Sequence, residues 1–234
     1  MTVAEDIKNR AQNTFRKSWT TRLGRVVPAA TSLTMGNDAV ELESATVLYA
    51  DLDSSTDLVD TKIWEFAAEI YKTFLYAASR LILSEGGVIT AYDGDRVMGV
   101  FVDGLHSVAA ARCALKINYA VKSLVQPAIA ASGWRTDFQL KHVVGLDRSP
   151  LRAARTGVRG DNDLVWVGRA ANHAAKLTAL PATTPTWITE DVFKCLDDST
   201  WYSRHPRSVM WTERAWSEFN GSKVYGSTYW WPVT

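Results

Sequence analysis

The stretch SATVLYADLD, residues 44–53, is apolar for most of its length and then turns acidic. Its length and its content of apolar and aromatic residues are those of a buried strand. Further on, VITAYDG and DRVMGVF flank Asp93-Gly94-Asp95. Asp-Gly between strand-like runs is a strong hairpin signal. If that hairpin lies beside the first strand, Asp51 and Asp95, 44 residues apart, reach the same edge of one sheet. Few folds satisfy that condition.

The rest of the pattern alternates. Ala67, Ile70, Tyr71, Phe74, Leu75, Ala78, Leu81 and Ile82 repeat at helical spacing, and Glu85-Gly86-Gly87 stops that helix. A second helix pattern runs from about Leu105 to Leu124. FQLKHVVGL reads as a strand, and LRAARTGVRGDNDLVWV as two strands, or a strand and a loop, around the polar turn RGDND. GRAANHAAKLTAL reads as a helix, ITEDVFKCL as a strand end and a short helix, and the last thirty residues as strands. This order predicts an α+β fold, a sheet covered by helices on one side. Residues 1–40 read as a leader, with a polar helix over about 3–20 and a turn-rich connector, VVPAATSLTMGND. No boundary is visible inside 41–234.

Among 234 residues, 26 Lys and Arg balance 25 Asp and Glu, which argues against a nucleic-acid partner. No apolar run reaches the roughly 18–20 residues of a membrane span, and the N-terminus is too polar for a signal peptide. The two cysteines, Cys113 and Cys195, sit in helix-like apolar settings, so a reduced, cytoplasmic protein is expected. Five of the ten tryptophans follow residue 200, which predicts an aromatic cover at the C-terminus.

Two converging carboxylates and a backbone carbonyl form a hard-oxygen site for Mg²⁺ or Mn²⁺, usually completed by substrate phosphates. A pair of such ions can activate a hydroxyl and stabilise a leaving phosphate. Asp also favours turns for local reasons, and Asp53 and Asp93 stand close enough to compete for either role.

Three ordered motifs resemble those of the class III nucleotidyl cyclases. YADLDSSTDL is similar to the first metal motif, aromatic-Ala-Asp-Ile-x-Gly-Phe-Thr. AYDGDRVMGVF is similar to the second, Lys-x-x-Gly-Asp-x-x-Met-x-x-Phe. VGRAANHAAKLTAL resembles the helix motif Gly-x-x-Val-Asn-x-Ala-x-Arg-Leu. The resemblance covers about residues 43–231. It implies a ferredoxin-like catalytic core over 41–234 and a head-to-tail homodimer whose active sites are shared between chains. It implies two divalent cations, Mn²⁺ or Mg²⁺, on Asp51, Asp95 and the backbone carbonyl of Leu52. Asn172 takes the place of the asparagine that orients the ribose. Lys176, on the same helix face, takes the place of the transition-state arginine. In GSKVYGSTYWW, Lys223 takes the place of a phosphate-binding lysine.

The departures carry information as well. A lysine at 176 is a point charge without arginine's planar fork, and Arg169 or Arg148 could share its task. Adenylate cyclases read adenine with a lysine and an aspartate at the positions held here by Ala91 and Val165. Guanylate cyclases use a glutamate and a cysteine there. A purine edge left unpaired in such a site costs about 1–3 kcal/mol per polar group. Tyr49, two residues before Asp51 and on the same strand face, can fill the space of a purine's second ring.

This combination resembles the pyrimidine cyclases of the bacterial Pycsar antiphage systems. It implies UTP as substrate, cyclic UMP as product and a separate effector protein that binds the product. A cytidylate cyclase making cyclic CMP stays open, as does a catalytically silent nucleotide-binding dimer.

Overall fold

The computed structural model describes residues 1–134 and 136–233. Its elements are, in order, α1 (Val3–Arg16), β1 (Thr20–Leu23), β2 (Asp38–Leu52), α2 (Ser55–Thr61), α3 (Trp64–Ser84), β3 (Val88–Asp93), β4 (Arg96–Phe101), α4 (His106–Ala120) and α5 (Gln126–Ala130). There follow β5 (His142–Gly157), β6 (Asn162–Val167), α6 (Arg169–Leu177), β7 (Thr186–Thr189), α7 (Glu190–Phe193), α8 (Asp198–Trp201), β8 (Thr212–Trp216) and β9 (Ser222–Ser227).

The sheet runs β3-β4-β2-β5-β7-β9-β8, with β1 added to β2 and β6 to β5. β1–β2 and β5–β7 are parallel pairs and the other pairs are antiparallel, so the sheet is mixed. Alternation along β2 sorts its side chains. Leu48, Ala50 and Leu52 join one core, whereas Ala45, Val47 and Tyr49 join another. The first core is closed by α3 and α4, through Phe66, Ile70, Phe74, Ala78, Leu81 and Ile82 on α3 and by Ala110, Ala114 and Ile117 on α4. α3 stops as its sequence requires. Gly86 takes φ +83°, and the Gly87 N–H reaches back to the Ile82 carbonyl at 2.9 Å.

The opposite face is covered as well, which corrects the expectation of helices on one side. α6 lays Ala170, Ala171 and Ala174 against Leu42, Val47, Met98 and Leu151. It approaches β5 so closely that a Cβ on Gly145 would come within 2.3 Å of the Ala174 carbonyl oxygen. Helical period shows which side of α6 is apolar, but not which face of the sheet receives it.

Three further differences have local causes. The strands expected around FQLKHVVGL and LRAART are one continuous strand, β5. Pro150 interrupts the pattern, but it sits opposite the register shift between Leu42 and Ala45, where a ladder tolerates proline. The helix expected to end near Leu124 instead passes through a π turn, Val121–Val125, into α5. The stretch 17–40 contains a strand, β1, whose Thr20–Leu23 pair with Asp38–Glu41, so β2 begins ahead of residue 41. α1 has no buried residue, and the Asn37 amide secures its end by donating to the carbonyls of Thr14 and Lys17.

The C-terminal aromatics pack on the α4 side. The buried Asn118 donates to the carbonyls of Thr228 and Tyr229, and the Trp231 N–H donates to the Leu115 carbonyl. Trp211 is buried, and its ring N–H donates to the Thr200 carbonyl at 2.7 Å.

Candidate active site

β2 delivers Asp51 to the end of the sheet, on the Tyr49 side of the strand. β4 lies beside it in the register Ala50↔Val97, so the β3–β4 turn reaches the same end. Gly94 takes φ +61° there and lets the two-residue turn close, which leaves Asp95 next to Leu52 and Asp51. Burial, and then the neighbouring Asp95 charge, push the Asp51 carboxyl up to about 6. The Thr178 hydroxyl, just past α6, opposes that shift by donating to Asp51 Oδ2 at 3.1 Å. Asp95 Oδ2 is buried and has no hydrogen-bond partner.

Two crowded carboxylates, one of them with an orphaned buried oxygen, suit a hard divalent cation. Among the described residues no third His, Cys, Asp or Glu joins them. Leu52 directly follows Asp51 at the end of β2.

Tyr49 and Ala91 share one row across β2, β4 and β3 through Met98, and both border the second core. Burial raises the Tyr49 hydroxyl pKa, so the group stays protonated. The Arg96 guanidinium lies 5.8 Å from the centre of the Tyr49 ring while it pairs with Asp93. Val165 is elsewhere. It faces out from β6 at 41% exposure, opposite Ala154.

Asn172 and Lys176 lie one turn apart on the exposed side of α6, opposite the buried Ala174. They face away from the sheet that carries Asp51 and Asp95. Lys223 lies on a different face: along β9 it shares the side of Tyr225, whereas Val224 between them packs in the cluster that holds Leu177 of α6. It sits on β9 opposite Ala215 and pairs with Glu213 at 3.1 Å, and the adjoining Trp216 packs against Phe219. One chain therefore gathers Tyr49, Asp51, Leu52, Ala91 and Asp95 at one place and Asn172 and Lys176 at another, and does not bring Lys223 to either.

Comparison with known proteins places the chain in a family. No protein-family model matches. A uridylate cyclase of Burkholderia cepacia is 53% identical over 234 residues, covering 100% of both chains. A uridylate cyclase of Xanthomonas perforans is 48% identical, again covering 100% of both. The chain belongs to the uridylate cyclase family. An adenylyl cyclase structure from P. aeruginosa superposes with a TM-score of 0.67 at 21% identity, covering 81% of this chain and 95% of that one. The α+β architecture is thus that of a class III cyclase catalytic core.

Three features of the cyclase site were not read from its sequence. Thr178, the partner of Asp51, ends the helix motif two residues after Lys176, where a hydroxyl can cap or reach a neighbour. Arg96 directly follows Asp95, and its contact with Tyr49 depends on strand pairing. Phe219, under Lys176, comes from a distant turn and leaves no local signal. Conversely, Arg169 is not free to share the task of Lys176. It donates to the buried Asp147 at 3.0 Å and also pairs with Asp191. Arg155, which flanks the polar turn, is held by Asn162 and the Leu33 carbonyl. The Asp53 N–H is bonded to the Lys141 carbonyl at 3.0 Å.

Proposed function

We propose that the cyclase converts UTP to 3′,5′-cyclic UMP and pyrophosphate as a homodimer with two shared active sites. The observation that carries this reading is the Asp51–Asp95 pair, with its orphaned buried oxygen, on the strand that also presents Tyr49. The full-length likeness to proteins named uridylate cyclase supports the choice of base.

Asp51, Asp95 and the Leu52 carbonyl would hold two divalent cations, Mn²⁺ or Mg²⁺. Cations bound there lower the pKa of a ribose hydroxyl and offset the charge of a triphosphate. The partner chain's α6 supplies Asn172, which donates to and orients the ribose, and Lys176, which neutralises charge growing on the α-phosphate. Lys223 contacts the outer phosphates after exchanging its Glu213 partner. The 3′-oxygen forms a bond to the α-phosphorus as the bond from that phosphorus to the leaving pyrophosphate oxygen breaks. The hydroxyl proton passes to solvent.

Tyr49 occupies the room of a second purine ring, and Ala91 offers a purine edge no partner. Arg96, over the Tyr49 ring, is positioned to fix the tyrosine against the smaller base. Residues 41–234 carry the catalysis, with 1–40 as a leader. The product acts as a second messenger in bacterial antiphage defence, inside the cytoplasm, through a separate effector protein.

The test is incubation of the purified protein with ATP, GTP, CTP and UTP in Mn²⁺, with products identified by mass spectrometry. Cyclic UMP as the main product, absent from Asp95→Asn, supports the proposal. Cyclic CMP, AMP or GMP as the main product overturns the base assignment. Binding of UTP without any product, in protein shown to be folded and dimeric, favours a silent nucleotide-binding dimer.

A further inference from the structure

Lys176 places a point charge on a flexible four-carbon stem where the family motif has a planar fork. Such a charge needs something else to fix its direction. The Lys176 ammonium lies 4.8 Å from the centre of the Phe219 ring. Phe219 closes the short turn Ser217–Phe219 between β8 and β9, and Asn220 and Gly221 then reverse the chain with φ +54° and +73°.

The ring is itself held from two sides. Trp216, 2% exposed, packs against it with ring centres 3.9 Å apart. His173 meets Phe219 edge-on at 4.6 Å and Trp216 at 5.4 Å. His173 sits one turn before Lys176 on α6, and its Nδ1 lies 3.5 Å from Oδ2 of the fully buried Asp147. Asp147 also accepts from Arg169 Nε at 3.0 Å and from the Thr189 hydroxyl at 2.5 Å. A continuous set of contacts thus runs from the sheet interior to the lysine.

We infer that Phe219 is a positioning residue for Lys176: its π face orients the ammonium while leaving its charge intact. A carboxylate in the same place would hold the lysine more firmly but would cancel the charge that the reaction uses. Among the described residues Lys176 forms no salt bridge, whereas Lys223 pairs with Glu213. The aromatic face narrows the lysine's rotamers before substrate arrives, so less freedom is lost in the transition state. The inference rests on the proposed role of Lys176.

The test is a double-mutant cycle of Phe219→Leu and Lys176→Gln, read as kcat and KM for the nucleotide turned over, with NMR of the Lys176 ε-methylene protons. Phe219→Leu is expected to lower kcat about three- to tenfold and to leave KM within about twofold. Phe219→Tyr retains kcat close to that of the wild type. In the Lys176→Gln background Phe219→Leu adds less than about twofold. The ε-methylene protons of Lys176 carry an upfield ring-current shift that Phe219→Leu abolishes.

Equal losses in both backgrounds, a loss confined to KM, or no upfield shift in the wild type would overturn the inference. A slow Lys176→Gln beside a fast Phe219→Leu removes the inference alone. A Lys176→Gln enzyme as fast as the wild type removes the role of Lys176, and the inference with it.

Discussion

Gly145 on β5 and Ala174 on α6 touch backbone to backbone: a Cβ on the glycine would lie 2.3 Å from the alanine carbonyl oxygen and 2.7 Å from Leu177 Cβ. Gly145 is also the β5 partner of Tyr49. The seating of the helix that carries Asn172 and Lys176 is therefore set directly over the strand row that carries Tyr49.

Gly145→Ala is expected to push α6 outward. Overpacking of this kind costs about 1–3 kcal/mol, which in a chain of this size corresponds to a melting midpoint lowered by about 2–12 °C. Turnover should fall further than stability explains, because Thr178 moves away from Asp51 together with the helix. Gly133→Ala, where an added Cβ meets nothing within 4 Å, serves as the control in calorimetry and in turnover assays.

Separation of the two clusters within one chain predicts complementation. Asp95→Asn and Asn172→Ala should each be inactive alone. Mixed under conditions that exchange subunits, half the dimers carry one of each chain and one intact site of two. Recovery of about a quarter of wild-type turnover is expected for random pairing. Native mass spectrometry confirms exchange, and absence of recovery in exchanged dimers would rule out a shared site.

The Asp51 carboxyl, held near 6 by burial and Asp95, must ionise before it can hold a cation. Mn²⁺-dependent turnover should therefore fall as pH drops through about 6 when Mn²⁺ is below saturation. Thr178→Val removes the donor that stabilises the ionised form, so the acid limb should move to higher pH. Excess Mn²⁺ should shift it back. A pH–rate profile at two metal concentrations checks both directions.

His142 lies beside Leu52 in the ladder, is buried, has no partner at Nε2, and is lowered by burial to about 4. Its unfolded-state value is about 6.5, so the unfolded chain binds more protons between those limits. The stability that its neutral form retains above pH 6.5 is lost as pH falls toward 4, about 3 kcal/mol in all. The raised Asp51 acts in the opposite sense over part of that window, because its folded form binds protons more readily. Chemical denaturation from pH 7 to 4 should show a shallower loss in His142→Leu and a steeper one in Asp51→Asn.

The meeting of Asp51 and Asp95 was legible because each of its signals is local. An apolar run ending in Asp51 and an Asp-Gly turn before Asp95 need only strand period and turn chemistry to be placed, and the pairing of β2 with β4 completes them. The side of the sheet that α6 covers was not legible, since the alanine face of α6 fits either side and Gly145 decides it by leaving room. Pro150 looked like a break because a bulge on the partner strand cannot be seen from β5 alone. The surroundings of Lys176 were hidden for the same reason. Phe219 and Trp216 are 43 and 40 residues away along the chain, and neither has a spacing that refers to α6.

Asn172 and Lys176 look outward from the chain that owns them, and this affects dosage. In the proposed shared-site dimer a lone chain would make nothing at high dilution. Output would grow with the square of concentration until pairing saturates, and only then become proportional. Low copy number would then be a form of silence in itself, and a modest rise in abundance would increase the signal more than in proportion.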